Sequence, residues 1–232
     1  MKKYAILVAG GSGMRMQSLV PKQFLMLDER PVLFHTLEKF YNADLETDLI
    51  VVLPKHHISS WEHLIKGYSF SVRHRIIEGG DTRFHSVKNG LDAIDGDGIV
   101  AIHDGVRPMV SETLINFLFD EADRAGNAVP CTPVNESMRT VSGVKNFFTD
   151  RSMYRLIQTP QVFRVSQLKR AFDQPYTMMF TDEANVAESS GLEINLVPGE
   201  VHNIKITTRE DLMMAEALLK NKDQRSEPNR KG

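Results

Sequence analysis

Short apolar runs alternate with amphipathic stretches along most of this chain, and that alternation limits its architecture more than any other feature. Tyr4-Ala5-Ile6-Leu7-Val8 and residues 49–53, 98–102 and 128–131 are brief and aliphatic, and each ends at Gly, Pro or a charged residue. They read as buried strands. Between them, Val32, Leu33, Thr36, Leu37 and Phe40 recur at helical spacing after Pro31, which suits a first helical turn. Trp61, Leu64 and Ile65 mark a second helix, Val87, Leu91 and Ile94 a third, and Leu114, Phe117, Leu118 and Ala122 a fourth. Strand–helix alternation predicts an α/β fold, a mainly parallel twisted sheet with helices on both faces. In such sheets ligands bind at the carboxyl ends of the strands.

Composition narrows the class. The 232 residues carry 28 basic and 30 acidic side chains, a net charge of −2, so a protein that coats nucleic acid is not expected. An apolar content of 41% and a charged content of 25% suit a globular chain with a sizeable core. Cys131 is the single cysteine, so no intrachain disulfide can form and a reducing compartment is expected. No apolar run approaches the roughly 18 residues of a membrane helix. The start, Met1-Lys2-Lys3 before residues 4–8, imitates a signal peptide, but its apolar stretch is short and runs into glycines and charge. These features predict a cytoplasmic protein without a membrane or nucleic-acid partner.

The pattern breaks near residue 134. Residues 135–152 are polar around Ser142-Gly143, with Val141, Val144, Phe147 and Phe148 flanking the turn, and read as a hairpin arm. A lone hairpin is marginal in water, so this arm is expected to pack on something, such as a second subunit. Helices are then predicted over 165–172 and 182–190, strands at 194–197 and 204–206, and a final helix from about Thr208. The remainder, 222–232, reads as a flexible tail, and residues 1–221 as a single domain.

The first strand runs into Ala9-Gly10-Gly11-Ser12-Gly13-Met14-Arg15-Met16. Glycines let backbone N–H groups approach an anion, and a helix start adds a favourable dipole. A sharp turn after strand one explains the same glycines equally well. The loop is neither common dinucleotide signature: Met16 breaks G-x-G-x-x-G, and Met14-Arg15 replaces the Lys-Ser/Thr of a P-loop. Pro21 disfavours helix at Val20, so Lys22 is expected on an extended loop near the glycines. Solvated surface cations are the alternative for Arg15 and Lys22. Asp104, after the strand 98–102, is placed either to bind a metal or to cap a turn.

The glycine run, with Pro21-Lys22-Gln23 after it, resembles the signature of sugar-phosphate nucleotidyltransferases. More closely, the chain is similar to the 2-C-methyl-D-erythritol 4-phosphate cytidylyltransferase family. The match continues through Glu78-Gly79-Gly80-Asp81-Thr82-Arg83-Phe84-His85-Ser86-Val87, His103-Asp104-Gly105-Val106-Arg107-Pro108 and Pro133-Val134-Asn135-Glu136-Ser137-Met138. It ends with Gln158-Thr159-Pro160-Gln161, Thr181-Asp182-Glu183-Ala184 and Asn203-Ile204-Lys205-Ile206-Thr207. These blocks stand in family order over nearly the whole chain. Gly10 and Gly105-Val106 depart mildly, each standing where many members have alanine. The related ribitol-5-phosphate cytidylyltransferases share the first departure. Asp150-Arg151 before residues 158–161, and Thr181-Asp182-Glu183-Ala184 after them, favour the methylerythritol enzymes.

The resemblance implies a Rossmann-like nucleotidyltransferase fold whose β-arm (about 135–152) is exchanged in a homodimer. It also implies a reaction in which a sugar-alcohol phosphate attacks the α-phosphorus of CTP and pyrophosphate leaves. That nucleophile is already anionic, so fixed cations, backbone donors and a metal carry the chemistry rather than a general base. Arg15 and Lys22 are the implied catalytic residues. Ala9, Gly10, Gly11, Ser12, Gly13, Gly80, Asp81, Ser86 and Asp104 are implied at the nucleotide, and Asp104 also at Mg²⁺. A helix cap at Asp81 is the plain alternative there. Arg107, Ser137, Arg151, Thr181 and Lys205 are implied at the second substrate, Arg151 serving the neighbouring subunit's site. Surface ion pairs are the bland alternative for these cations. His56, His57 and His63 lack the partners of a zinc site. Cys131 reads as a small buried strand residue. Beside a ribitol-phosphate enzyme, the rival readings are a non-catalytic nucleotide sensor on the same fold and a nicotinamide-dependent dehydrogenase. The missing fingerprint disfavours the last.

Overall fold

The computed structural model describes residues 1–10 and 20–226, with side chains through residue 221. In chain order the strands are β1 (Lys3–Val8), β2 (Met26–Leu27), β3 (Arg30–Pro31), β4 (Asp48–Leu53), β5 (Arg75–Glu78) and β6 (Ile99–Asp104). They continue as β7 (Asn127–Pro133), β8 (Met138–Ser142), β9 (Lys145–Thr149), β10 (Arg155–Ile157), β11 (Gln161–Arg164) and β12 (Leu196–Pro198). The helices are α1 (Val32–Ala43), α2 (Lys55–Gly67), α3 (Arg83–Asp92), α4 (Glu112–Ala125), α5 (Val165–Ala171), α6 (Glu183–Ser189) and α7 (Arg209–Ser226).

The main sheet has the order β10-β7-β11-β6-β1-β4-β5, with β12 beside β7. The pairs β1–β4, β1–β6, β4–β5 and β7–β12 are parallel, whereas β11 runs antiparallel to β6 and β7, and β10 antiparallel to β7. Central strands alternate between two cores. Ala5 and Leu7 of β1 face Leu33, Leu37, Trp61 and Leu118, while Tyr4 and Ile6 face Phe84, Val87 and Leu168. Both faces are therefore covered, which is why these strands are apolar at successive positions. Burying each Leu, Ile, Val or Phe among them contributes about 1.5–3 kcal/mol. A third core, from Leu27, Val32, Val106, Met109, Ile206 and Ala215, underlies α7.

The chain leaves β1 for β4 and β5, then returns to β6 on the other flank of β1. That reversal opens a crevice at the carboxyl ends of β1 and β6, where Val8 is paired with Asp104. Local signals support the framework. Ser111 caps α4 by accepting from the Leu114 N–H at 2.9 Å, a contact worth ~1 kcal/mol. Gly126, at φ 91°, ends the same helix.

Several boundaries differ from the sequence reading. β6 extends to Asp104, so Asp104 closes the strand instead of following it. Residues 204–206 form no strand; the Ile206 N–H donates to the Val106 carbonyl at 2.9 Å within an irregular segment. Helix α7 continues through Ser226, into the stretch read as a tail, and residues 227–232 lie outside the described residues. The hairpin expected over 135–152 is present as β8 and β9, turning at Gly143 with φ 60°. Cys131 is in a strand as expected but is half-buried. Among the described residues, no helix is long and apolar enough to cross a membrane.

Candidate active site

A cavity of about 250 Å³ occupies the crevice. Val8 to Gly10 form one wall, Pro54 and Gly79 to Arg83 another, and Lys22, Gln23, Asp104, Val106 and Lys205 close it. Every strand that reaches it, β1, β4, β5 and β6, points its carboxyl end inward. The Ala9 N–H donates to the Val52 carbonyl at 3.0 Å, which ties this corner to β4.

Close packing shapes the wall at Gly79 and Gly80. Ser86 Oγ accepts from the Gly80 N–H at 3.2 Å and donates to the Gly80 carbonyl at 3.3 Å. A Cβ on Gly80 would stand 2.4 Å from His85 Cβ. The cap of α3 is Thr82, whose Oγ1 accepts from the His85 N–H at 3.3 Å. Asp81, the sequence candidate for that cap, instead lines the cavity with an exposed side chain. Among the described residues, a methyl group at Gly10 would meet nothing closer than 4.0 Å.

Asp104 is the electrostatic centre. Its Oδ2 accepts from Lys205 Nζ at 3.0 Å and from Arg107 Nε at 3.2 Å, and Arg83 Nη2 lies 3.6 Å from Oδ1. Burial opposes the charged carboxylate, but Arg83, Lys205 and Arg107 outweigh it and hold Asp104 well below the usual carboxylate range. The Asp104 N–H donates to Thr159 Oγ1 at 3.1 Å, and that hydroxyl lies 3.0 Å from His103 Nδ1. His103 Nε2 lies 3.1 Å from the Arg107 carbonyl. A carbonyl only accepts, so Nε2 carries the proton and Thr159 donates to Nδ1. Burial pushes the His103 pKa down to about 3, so this fully buried imidazole is neutral and unsuited to proton transfer at pH 7.

A second cavity of about 490 Å³ shares Lys205 with the first and includes Arg107, Asn203 and residues 132–136 and 156–158. Arg107 Nη1 donates to the Asn203 carbonyl at 2.8 Å, and Asn203 Nδ2 donates to the Thr159 carbonyl at 2.8 Å. Arg107 and Lys205 thus stand between two adjoining cavities.

The structure brings Ala9, Gly10, Lys22, Gly80, Asp81, Ser86, Asp104 and Lys205 to one cavity, with Arg107 beside it. Gly11, Ser12, Gly13 and Arg15 lie outside the described residues. Ser137, Arg151 and Thr181 are exposed and line neither cavity. Arg151 donates to the carbonyl of Asn135, at the base of the arm. Arg83, His103 and Thr159 stand in the matching motifs with no role implied for them, yet all three touch Asp104 or its supports. Among the described residues no group of three or more metal-ligating side chains comes together, and the rings of His56 and His57 lie 4.0 Å apart at a tilt of 55°.

A family model described as 2-C-methyl-D-erythritol 4-phosphate cytidylyltransferase matches residues 4–221. The chain belongs to that family. A 2-C-methyl-D-erythritol 4-phosphate cytidylyltransferase of Bacteroides fragilis is 46% identical over 219 residues, covering 94% of this chain and 100% of the relative. One from Phocaeicola vulgatus is 45% identical with the same coverage. Among solved structures, the cytidylyltransferase of Thermus thermophilus is similar with a TM-score of 0.77 and 29% identity, over 95% of this chain and 100% of that one. The Francisella tularensis cytidylyltransferase has a TM-score of 0.77 and 31% identity, over 94% and 99%. The Rossmann-like cytidylyltransferase fold expected from the motifs is thus the fold observed.

Proposed function

We propose that this chain transfers the cytidylyl group of CTP to 2-C-methyl-D-erythritol 4-phosphate. The products are 4-diphosphocytidyl-2-C-methyl-D-erythritol and pyrophosphate, a step of non-mevalonate isoprenoid precursor synthesis. The observation that carries this reading is the near full-length match to a family of that activity. The cavity geometry is consistent with it. A phosphate oxygen of the alcohol phosphate attacks the α-phosphorus of CTP, a new P–O bond forms, and the bond to the β-phosphate oxygen breaks. The attacking oxygen is already anionic, so the neutral, buried His103 has no proton to remove.

What the site must supply is fixed positive charge where two polyanions meet. Lys22, with Arg15, is assigned to the triphosphate. Gly80, Asp81 and Ser86 are assigned to the nucleoside, and Arg107 and Lys205 to the phosphate of the alcohol, with Arg151 from a neighbouring subunit. Asp104 and Asp81 are the carboxylates on the cavity wall, a donor set that suits Mg²⁺ shared with substrate phosphates and water. Asp104 would hold the ion, which supplies charge neutralisation at the phosphates. A homodimer belongs to the same reading. It is supported by the exposed apolar side chains of the arm, among them Val144 at 100% and Phe148 at 80%.

The decisive assay offers CTP with 2-C-methyl-D-erythritol 4-phosphate and, in parallel, with ribitol 5-phosphate, and follows pyrophosphate. Faster turnover of the methylerythritol substrate is expected, as is a loss of about 100-fold or more in Lys22→Ala. Better turnover of ribitol phosphate would overturn the substrate assignment. Equal background release by wild type and Lys22→Ala would favour the nucleotide sensor.

A further inference from the structure

Thr181 was expected at the second substrate, yet it is exposed and lines neither cavity. What its motif supplies instead is Glu183, the first residue of α6, which is fully buried. Both Glu183 oxygens accept from Arg83: Nη2 donates to Oε2 at 3.0 Å and Nη1 donates to Oε1. The motif is itself anchored. Asp182 Oδ1 caps α6 by accepting from the Asn185 N–H at 2.9 Å, and its Oδ2 accepts from Gln161 Nε2 at 3.0 Å. Gln161 Oε1 accepts from the Ala184 N–H at 2.8 Å. Glu183 is therefore held to β11, a central strand.

Arg83 opens α3 and lines the nucleotide cavity, whereas Glu183 does not. The guanidinium stands between Glu183 and Asp104, 3.6 Å from the latter. Burial opposes its charge, but Glu183 and Asp104 outweigh that and keep it protonated. A buried ion pair of this kind adds little net stability compared with a well-packed apolar pair. What it does provide is orientation: a two-point grip fixes a planar fork and leaves its other donors uncommitted.

We propose that Arg83 is a further phosphate-binding residue of the nucleotide cavity and that Glu183 is its positioning residue, the buried carboxylate aiming the guanidinium at the triphosphate beside Asp104. This rests on the reading that CTP occupies that cavity. Glu183 acts through Arg83 and does not touch the nucleotide. A purely structural pair would tie α3 to α6 and leave phosphate binding alone.

Calorimetric binding of CTP and of cytidine, which lacks phosphate, separates the two. The proteins are wild type, Glu183→Gln, and the double variant Arg83→Met/Glu183→Leu, which replaces the ion pair with apolar side chains. The expected result is a drop in CTP affinity of about tenfold to a hundredfold in each variant, with cytidine affinity unchanged. Should Glu183→Gln fail to fold, the double variant decides. A folded variant that keeps the wild-type ratio of CTP to cytidine affinity, whatever its thermal stability, overturns the proposal alone. A wild-type chain without any preference for CTP over cytidine overturns the nucleotide reading and this proposal with it.

Discussion

The Lys205 ammonium lies 3.0 Å from the Asp104 carboxylate, on the boundary between the two cavities. Lys205 comes from the irregular segment before α7, and Asp104 from the end of a central strand. One buried anion therefore gathers cations from separate parts of the chain. Asp104→Asn removes that anion and leaves Arg83, Arg107 and Lys205 repelling one another. Turnover should fall by about 100-fold or more, and unfolding stability by about 3 kcal/mol. Steady-state kinetics and urea unfolding check the two effects; an Asn variant with normal turnover would contradict the central place given to this carboxylate.

His103 makes a prediction for mild acid. Its native pKa is about 3, against an ordinary value of 6.5. Between those values the unfolded chain binds a proton that the native chain does not, so stability falls as pH drops below 6.5. From pH 6.5 to 5 the loss from this group is about 1.6 kcal/mol. His103→Gln keeps a donor and an acceptor but does not titrate. Urea midpoints at pH 7 and pH 5 should converge more closely in that variant than in wild type.

The two glycines at opposite walls of the first cavity should respond differently to alanine. Gly80→Ala forces a Cβ against His85 and should cost about 1–3 kcal/mol, with a higher KM for CTP as the wall shifts. Gly10→Ala meets only ordinary contacts at 4.0 Å among the described residues and should leave thermal unfolding unchanged. Parallel melting curves test the contrast.

The arm yields a prediction on assembly. Phe148→Asp places a charge on an exposed side chain of β9, where it should not disturb the protomer's core. In a dimer joined through the arm, sedimentation should show a shift towards monomer and turnover should fall. An unchanged sedimentation coefficient would remove the arm from the interface.

Strands β1, β4 and β6 were legible in the sequence because a parallel strand covered on both faces must be apolar at almost every position. By contrast, β5 is a half-buried edge strand, and β10 and β11 have three and four residues, too few to develop a pattern. Residues 204–206 looked like a strand because they are aliphatic at both ends. Ile206 is buried and Ile204 half-buried under α7 by side-chain packing rather than by a ladder, while Lys205 between them lines the cavities. The motif blocks named Lys22, Gly80, Ser86, Asp104 and Lys205, and the fold carries all of them to one crevice.

By itself, then, the sequence determined the layered α/β architecture, the family, and many of the residues lining the cavity at the ends of β1 and β6, because hydrophobic period and local motifs are written in neighbouring positions. Only the tertiary structure decided how those residues are supported. The grip of Glu183 on Arg83, and the chain from Asp104 through Thr159 to His103, join positions far apart in sequence. Their partners depend on strand register and on which face of the sheet each helix covers.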